Sequence, residues 1–83
     1  MMKWLKCEKE SEDDRCVIYR YTDLTKEKEM KGSFRIAKAE FCNVSTVQLP
    51  AYCQDRVDEM KLAGKLIIEY KETGVWPASA MVH

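Results

Sequence analysis

The chain has 83 residues, and its 14 basic and 14 acidic side chains give a formal net charge of zero. A chain of this length has room for one domain with one hydrophobic core, and we assign residues 1–83 to it, with 74–83 as a C-terminal tail. Because the charges are balanced along the chain, no segment offers the broad positive surface that nucleic acid or an anionic membrane would attract. A general polyanion-binding protein is therefore disfavoured.

The N-terminal segment, Met1 to Glu8, lacks the apolar run of a signal peptide. No apolar run elsewhere in the chain approaches the roughly 20 residues that a membrane-spanning helix needs. The sequence therefore predicts a cytoplasmic protein that does not enter a membrane. In the cytoplasm thiols stay reduced, which favours free cysteines over disulfides.

Four cysteines, Cys7, Cys16, Cys42 and Cys53, are the residues best suited to metal or redox chemistry. Four thiolates could close a tetrahedral zinc site, but such sites usually take their ligands in close pairs, and this chain has no C-x-x-C pair. The spacing favours thiols that pack as small apolar side chains. A redox or zinc protein that depends on these cysteines is kept as an alternative, and no cofactor is expected.

Three segments in the first half of the chain have the pattern of strands. The clearest is Cys16–Thr22, which is rich in β-branched and aromatic residues and is expected to be central. A weaker strand is predicted near Lys3 to Lys9 and is joined to the first by an acidic hairpin tip. A third is predicted at Ser33–Cys42, where the apolar residues change face partway, as a β-bulge would produce.

One long helical pattern covers Leu49–Thr73. Its end is well marked, because Gly74 can take the left-handed cap conformation and Pro77 prevents continuation. No comparable signal marks its start, where Pro50 is acceptable in a first helical turn. The predicted fold is α+β: a three-stranded, mainly antiparallel sheet in β-β-β-α order, with one long C-terminal helix packed on one face.

The apolar residues of this helix cover a wide sector. One stripe is expected to lie on the sheet: Cys53, Val57, Met60, Gly64, Ile67 and Ile68. The sector is wider than a helix on a single surface requires, so a second cover is expected. Either the tail folds back onto the helix, with Trp76, Met81 and Val82 in contact, or a second subunit packs there.

The remaining apolar flank of the helix is the basis of the functional prediction. With the tryptophan that follows the helix, it forms an expected interface of four residues: Leu62, Leu66, Tyr70 and Trp76. Aromatic residues beside apolar neighbours tend to carry interface energy. The sequence therefore predicts a non-catalytic interaction module that forms a homodimer or binds another protein, and Leu66→Glu is expected to dissociate it without unfolding the subunit.

Enzyme chemistry is not indicated. The single histidine, His83, is the terminal residue, where a general base is hard to hold in position. Cys53 could be activated by the start of the helix, but its place on the apolar stripe favours an inert thiol. We therefore expect no catalytic residues.

A small nucleic-acid-binding protein is the second functional prediction. Three strands followed by one helix is a layout found in some DNA-binding modules, which is an argument from fold alone. The candidate residues are Arg20, Arg35 and Lys38 on the strands, interleaved with Tyr19, Tyr21 and Phe34. The overall charge of zero disfavours this alternative.

Overall fold

The computed structural model describes residues 4–41, 43–50 and 56–82, and within these ranges it has five strands and one helix. The elements in chain order are β1 (Leu5–Glu12), β2 (Cys16–Asp23), β3 (Gly32–Ala37), β4 (Val44–Gln48), α1 (Val57–Thr73) and β5 (Ser79–Val82). The strands form a single sheet in the order β4-β3-β2-β1-β5, and all neighbours are antiparallel. The α+β class and the antiparallel sheet with one helix are confirmed. The predicted number of three strands is wrong.

Both additional strands lie at the edges of the sheet. β4 begins at Val44, in a cluster of Asn, Ser and Thr residues that is typical of a turn. The composition of β4 therefore does not indicate a strand. β5 lies in the segment predicted to be a tail and pairs with β1, where Cys7 is opposite Ala80. Four or five residues are too few to show a clear alternation of apolar and polar residues. These two strands are therefore determined by pairing with a neighbouring strand.

The three predicted strands are present with different bounds. β2 agrees with the predicted Cys16–Thr22 and occupies the centre of the sheet. β1 continues to Glu12, and its register with β2 shifts after Lys9. β3 ends at Ala37, and the register shift between β3 and β4 after Ser33 places the extra residue on β4, at Val47, and not in β3 where the bulge is predicted.

Helix α1 starts later than predicted. Leu49 and Pro50 are not helical, residues 51–55 lie outside the described residues, and Arg56 is the N-cap. The predicted end is confirmed, because Gly74 has φ 78° and donates its N–H to the carbonyl of Tyr70.

The length of α1 suits the connection that it makes. Its 17 residues span about 25 Å at 1.5 Å per residue. Five strands at about 4.8 Å spacing give a sheet about 19 Å wide. The helix is therefore long enough to carry the chain across one face, from β4 at one edge to β5 at the other. In the described part of the chain, no helix is long and apolar enough to cross a membrane.

The hydrophobic core lies between α1 and the face of the sheet that it covers. Its buried apolar residues come from all six elements and the segment after the helix: Leu5, Cys7, Val17, Tyr19, Tyr21, Phe34, Ile36, Val44, Leu62, Ala63, Leu66, Trp76 and Ala80. Among the described residues no element covers the opposite face, which we call the open face. The domain therefore has two layers.

We expect Gly32→Ala to lower the free energy of unfolding by about 1–3 kcal/mol, because it overfills the core. Gly32 is opposite Tyr21, and a Cβ atom at Gly32 would lie 2.5 Å from two ring atoms of that buried tyrosine. The check is urea denaturation followed by tryptophan fluorescence, at the lowest practical protein concentration.

The control for this prediction is Gly64→Ala. Apart from the adjoining backbone of its own helix, no atom lies within 4 Å of a Cβ placed there, so we expect alanine to stabilise the helix by about 0.5–1 kcal/mol. An equal loss of stability in both variants would contradict the explanation by crowding at Gly32.

Candidate functional site

The four side chains predicted to form an interface contact the rest of their own chain. Leu62 and Leu66 are completely buried, Trp76 is 3% exposed, and Tyr70 is partly buried. The two leucines face the sheet, so the orientation predicted for the helix is wrong. A role for these four residues between two subunits stays a prediction, and their burial within one chain does not favour it.

The chain's own tail, one of the two covers predicted for the helix, packs on it through Trp76 and Val82, whereas Met81 is 40% exposed. Trp76 stacks on Tyr70 with ring centroids 4.4 Å apart, and Phe41 meets both rings edge-on at 5.7 Å. The hydroxyl of Tyr19 donates a hydrogen bond to the carbonyl oxygen of Pro77 at 2.7 Å, which fixes the tail after the tryptophan. These contacts lead the chain from the helix to the edge of the sheet, where β5 pairs with β1.

Glu59 holds the start of α1 against the edge strand β4. Its side chain is completely buried, its Oε1 lies 2.6 Å from Nε of Arg56, and it accepts a hydrogen bond from the hydroxyl of Thr46. Arg56 also donates to the carbonyl oxygen of Val44. Buried carboxylates are tolerated when they are paired in this way. We call the side chains of Glu59, Arg56 and Thr46 the Glu59 cluster. This cluster fixes the rotation of the helix on the sheet.

The opposite side of the helix carries an exposed apolar stripe. Val57, Met60 and Ile68 are 50%, 48% and 60% exposed, and Gly64 lies between the last two. We call these four residues the α1 stripe. The sequence predicts that they lie on the sheet, and for these four residues this is wrong; of the other two residues in the predicted stripe, Ile67 packs against the core, and Cys53 lies outside the described residues. The Glu59 cluster turns a charged residue inward in the first turn, so the stripe that begins at Val57 faces outward.

The strand cations of the nucleic-acid prediction are not gathered into one group. Arg20 and Arg35 are exposed on the open face, and Lys38 follows β3. Lys38 forms an ion pair with Glu12 at 2.7 Å, and Nε of Arg20 lies 4.0 Å from Glu10. Acidic neighbours therefore offset two of these three charges.

The aromatic residues next to these cations in sequence lie on the other face of the sheet. Tyr19, Tyr21 and Phe34 are 0%, 1% and 0% exposed and form part of the core. Successive residues of a strand point to opposite faces, so cations and rings that alternate in sequence are separated by the sheet. Base stacking by these aromatics beside the arginines is therefore unsupported, and nucleic-acid binding stays a prediction.

Two of the four cysteines lie in the described residues. Cys7 is completely buried, and burial raises the pKa of its thiol to about 12. Cys16 is a partly buried free thiol on the open face. Cys42 and Cys53 lie outside the described residues. In the part of the chain that the structure describes, no group of three or more His, Cys, Asp or Glu residues could hold a metal ion.

No family model, curated protein or solved structure matches this chain. Two surfaces of the domain are candidate functional sites. The two candidates are the α1 stripe and the open face of the sheet, which lie on opposite sides of the domain. The sequence contained one signal for the orientation of the first: Arg56 and Glu59 are three residues apart at the helix start, a spacing at which opposite charges pair.

We expect Leu66→Ala to lower the free energy of unfolding by about 2–5 kcal/mol, because it leaves a cavity under the helix. Ile68→Ala, two positions along, should change it by less than about 0.5 kcal/mol, because Ile68 is exposed. Urea denaturation of both variants gives the comparison. A larger loss of stability in Ile68→Ala than in Leu66→Ala would support the orientation of the helix that the sequence predicts.

Cys7 should make stability fall as pH rises above about 9. The unfolded thiol loses its proton near its ordinary pKa of 9.0, whereas the folded thiol keeps it up to about 12. The folded state then binds more protons, so the contribution is complete below pH 9 and is lost towards pH 12. Between pH 9 and pH 12, we expect Cys7 to lower the free energy of unfolding by up to about 1.4 kcal/mol per pH unit.

The measurement is urea denaturation from about pH 8 to about pH 10.5, with Cys7→Ala as the reference. The variant has a small cavity of its own, so the slopes with pH are compared and not the absolute stabilities. The variant should show the shallower slope. Equal slopes would mean that the thiol titrates alike in the folded and unfolded chain.

Proposed function

We propose that this protein is a non-catalytic interaction module that forms a homodimer through the α1 stripe. The observation that carries the proposal is the exposure of Val57, Met60 and Ile68 on one face of a single helix. Apolar residues that are exposed singly are ordinary, whereas a continuous apolar patch marks an interaction surface.

The stripe is continuous along the helix. A shallow depression beside Arg56 and Val57 and a second one beside Gly64 and Ile68 share Met60 in their lining. Gly64 has no side chain and no neighbour within 4 Å of its Cβ position, so a second helix can approach the backbone closely there. The small residue at the middle and the larger ones on either side give a surface that a copy of itself can fill.

Charge at the rim supports an antiparallel arrangement. Lys61 lies in the first half of the helix, Lys65 at its middle, where it pairs with Glu69 at 3.6 Å, and Glu69 and Glu72 lie in the second half. In an antiparallel pair about a two-fold axis near Gly64, the exposed Lys61 of each helix lies toward Glu69 and Glu72 of the partner helix, and the helix dipoles oppose each other. A parallel pair would place like charges together. This pattern favours a second copy of the chain as the partner.

We expect Ile68→Glu to raise the dissociation constant of the dimer at least tenfold, because the substitution buries an unpaired charge in the interface. The measurement is sedimentation velocity over a range of protein concentrations, with circular dichroism as a check of the fold. Val47→Glu is the matched control, because Val47 is 55% exposed on β4, away from the stripe.

A wild-type chain that stays monomeric at about 1 mM would rule out the proposal, since weaker association falls outside specific complexes. A dimer that persists in both Met60→Glu and Ile68→Glu would place the interface on another surface. Loss of the dimer in Val47→Glu alone would point to pairing of β4 edges.

A further inference from the structure

The open face carries a polar pocket at one end of the sheet. Its volume is about 350 Å³, and its polar lining comes from Asp13, Arg15, Cys16, Arg35, Asn43 and Ser45. The strand register explains the grouping. Arg35 is opposite Ser45, and Cys16 is opposite Ala37, so the first residues of β2 and the last of β3 meet the start of β4. The turn between β1 and β2 adds the remaining wall.

Two guanidinium groups line this pocket. Arg15 and Arg35 are both exposed, and neither forms an ion pair within the described residues. Other cations nearby are engaged, since Lys38 pairs with Glu12 and Arg20 lies beside Glu10. A guanidinium is a planar fork of N–H donors that matches an oxyanion with two hydrogen bonds.

Neutral groups and one carboxylate complete the pocket. The amide of Asn43 and the hydroxyl of Ser45 can donate to an oxyanion as well. Oδ1 of Asp13 accepts the backbone N–H groups of Cys16 and Arg15, at 2.9 and 2.7 Å. These bonds hold the turn that presents Arg15, and they lower the pKa of Asp13, which stays ionised. The pocket then has two positive charges against one negative charge.

We propose that this pocket binds the phosphate group of a small phosphate monoester. The excess positive charge and the presence of two guanidinium groups in one lining, neither in an ion pair within the described residues, select an oxyanion, and a volume near the lower end of ligand sites selects a small molecule. A nucleic-acid strand is less well served, because Tyr19 and Phe34 of the adjoining strands are buried on the other face and cannot stack on bases. The site is independent of the α1 stripe, which lies on the other layer.

The test is a titration of the ¹⁵N-labelled full chain with phenyl phosphate and, separately, with inorganic phosphate, followed by NMR. We expect saturable shifts of the amide signals of Arg15, Cys16, Asn43 and Ser45, with a dissociation constant on the order of 1 mM. Arg15→Gln and Arg35→Gln should each weaken binding about tenfold. Both residues are exposed, so both variants should fold.

Two further variants make the test specific. Arg20→Gln removes an arginine from the same face outside the pocket, so binding should change by less than about twofold. Asp13→Asn keeps an oxygen acceptor for the turn and removes the opposing charge, so binding should tighten about threefold or more.

Shifts that rise linearly without saturation, or a loss in Arg20→Gln as large as that in Arg35→Gln, would overturn the proposal. A single-stranded oligonucleotide of about ten nucleotides is titrated in parallel. If it binds more tightly than phenyl phosphate and depends equally on Arg20 and Arg35, the open face is a nucleic-acid surface, and the phosphate-monoester proposal is wrong.

Discussion

The contact between the buried carboxylate of Glu59, the guanidinium of Arg56 and the hydroxyl of Thr46 determines how α1 lies on the sheet. A charge in the interior is tolerated when it is paired, and both partners are available at one place, where the helix start meets β4. One oxygen of Glu59 has no hydrogen-bond partner in the described part of the chain. The cluster therefore contributes more to the position of the helix than to the stability of the fold. With this end held, Leu62 and Leu66 turn toward the sheet.

The other end of the helix is held by aromatic packing. Trp76 lies against Tyr70, and Phe41 closes the side of both rings. Such ring pairs add about 0.5–1.5 kcal/mol each beyond the burial of their area. They direct the chain into β5, which completes the sheet beside β1. A polar cluster at the start of the helix and an aromatic cluster at its end thus hold one helix across five strands.

This arrangement leaves two surfaces with different chemistry. The outer side of α1 is apolar around Gly64 and suits another helix, whereas the open face is polar and suits a charged ligand. The sheet lies between them, so occupancy of one does not obstruct the other. The sequence indicated residues of both surfaces but misjudged their setting. Val57, Met60 and Ile68 were placed in the core, and Arg35 was grouped with aromatic residues that point the other way.

The sequence by itself determined the α+β class, the central strand β2, and the end of the helix at Gly74, because these follow from β-branched runs, helical periodicity and a left-handed cap. Only the tertiary structure decided the edge strands, the rotation of α1 and the grouping of Arg15 with Arg35. The edge strands β4 and β5 have too few residues for their own pattern and depend on their neighbours. The rotation of α1 depends on the pairing of one buried carboxylate, which hydrophobicity cannot show, and the pocket depends on strand register, which joins residues 20 positions apart.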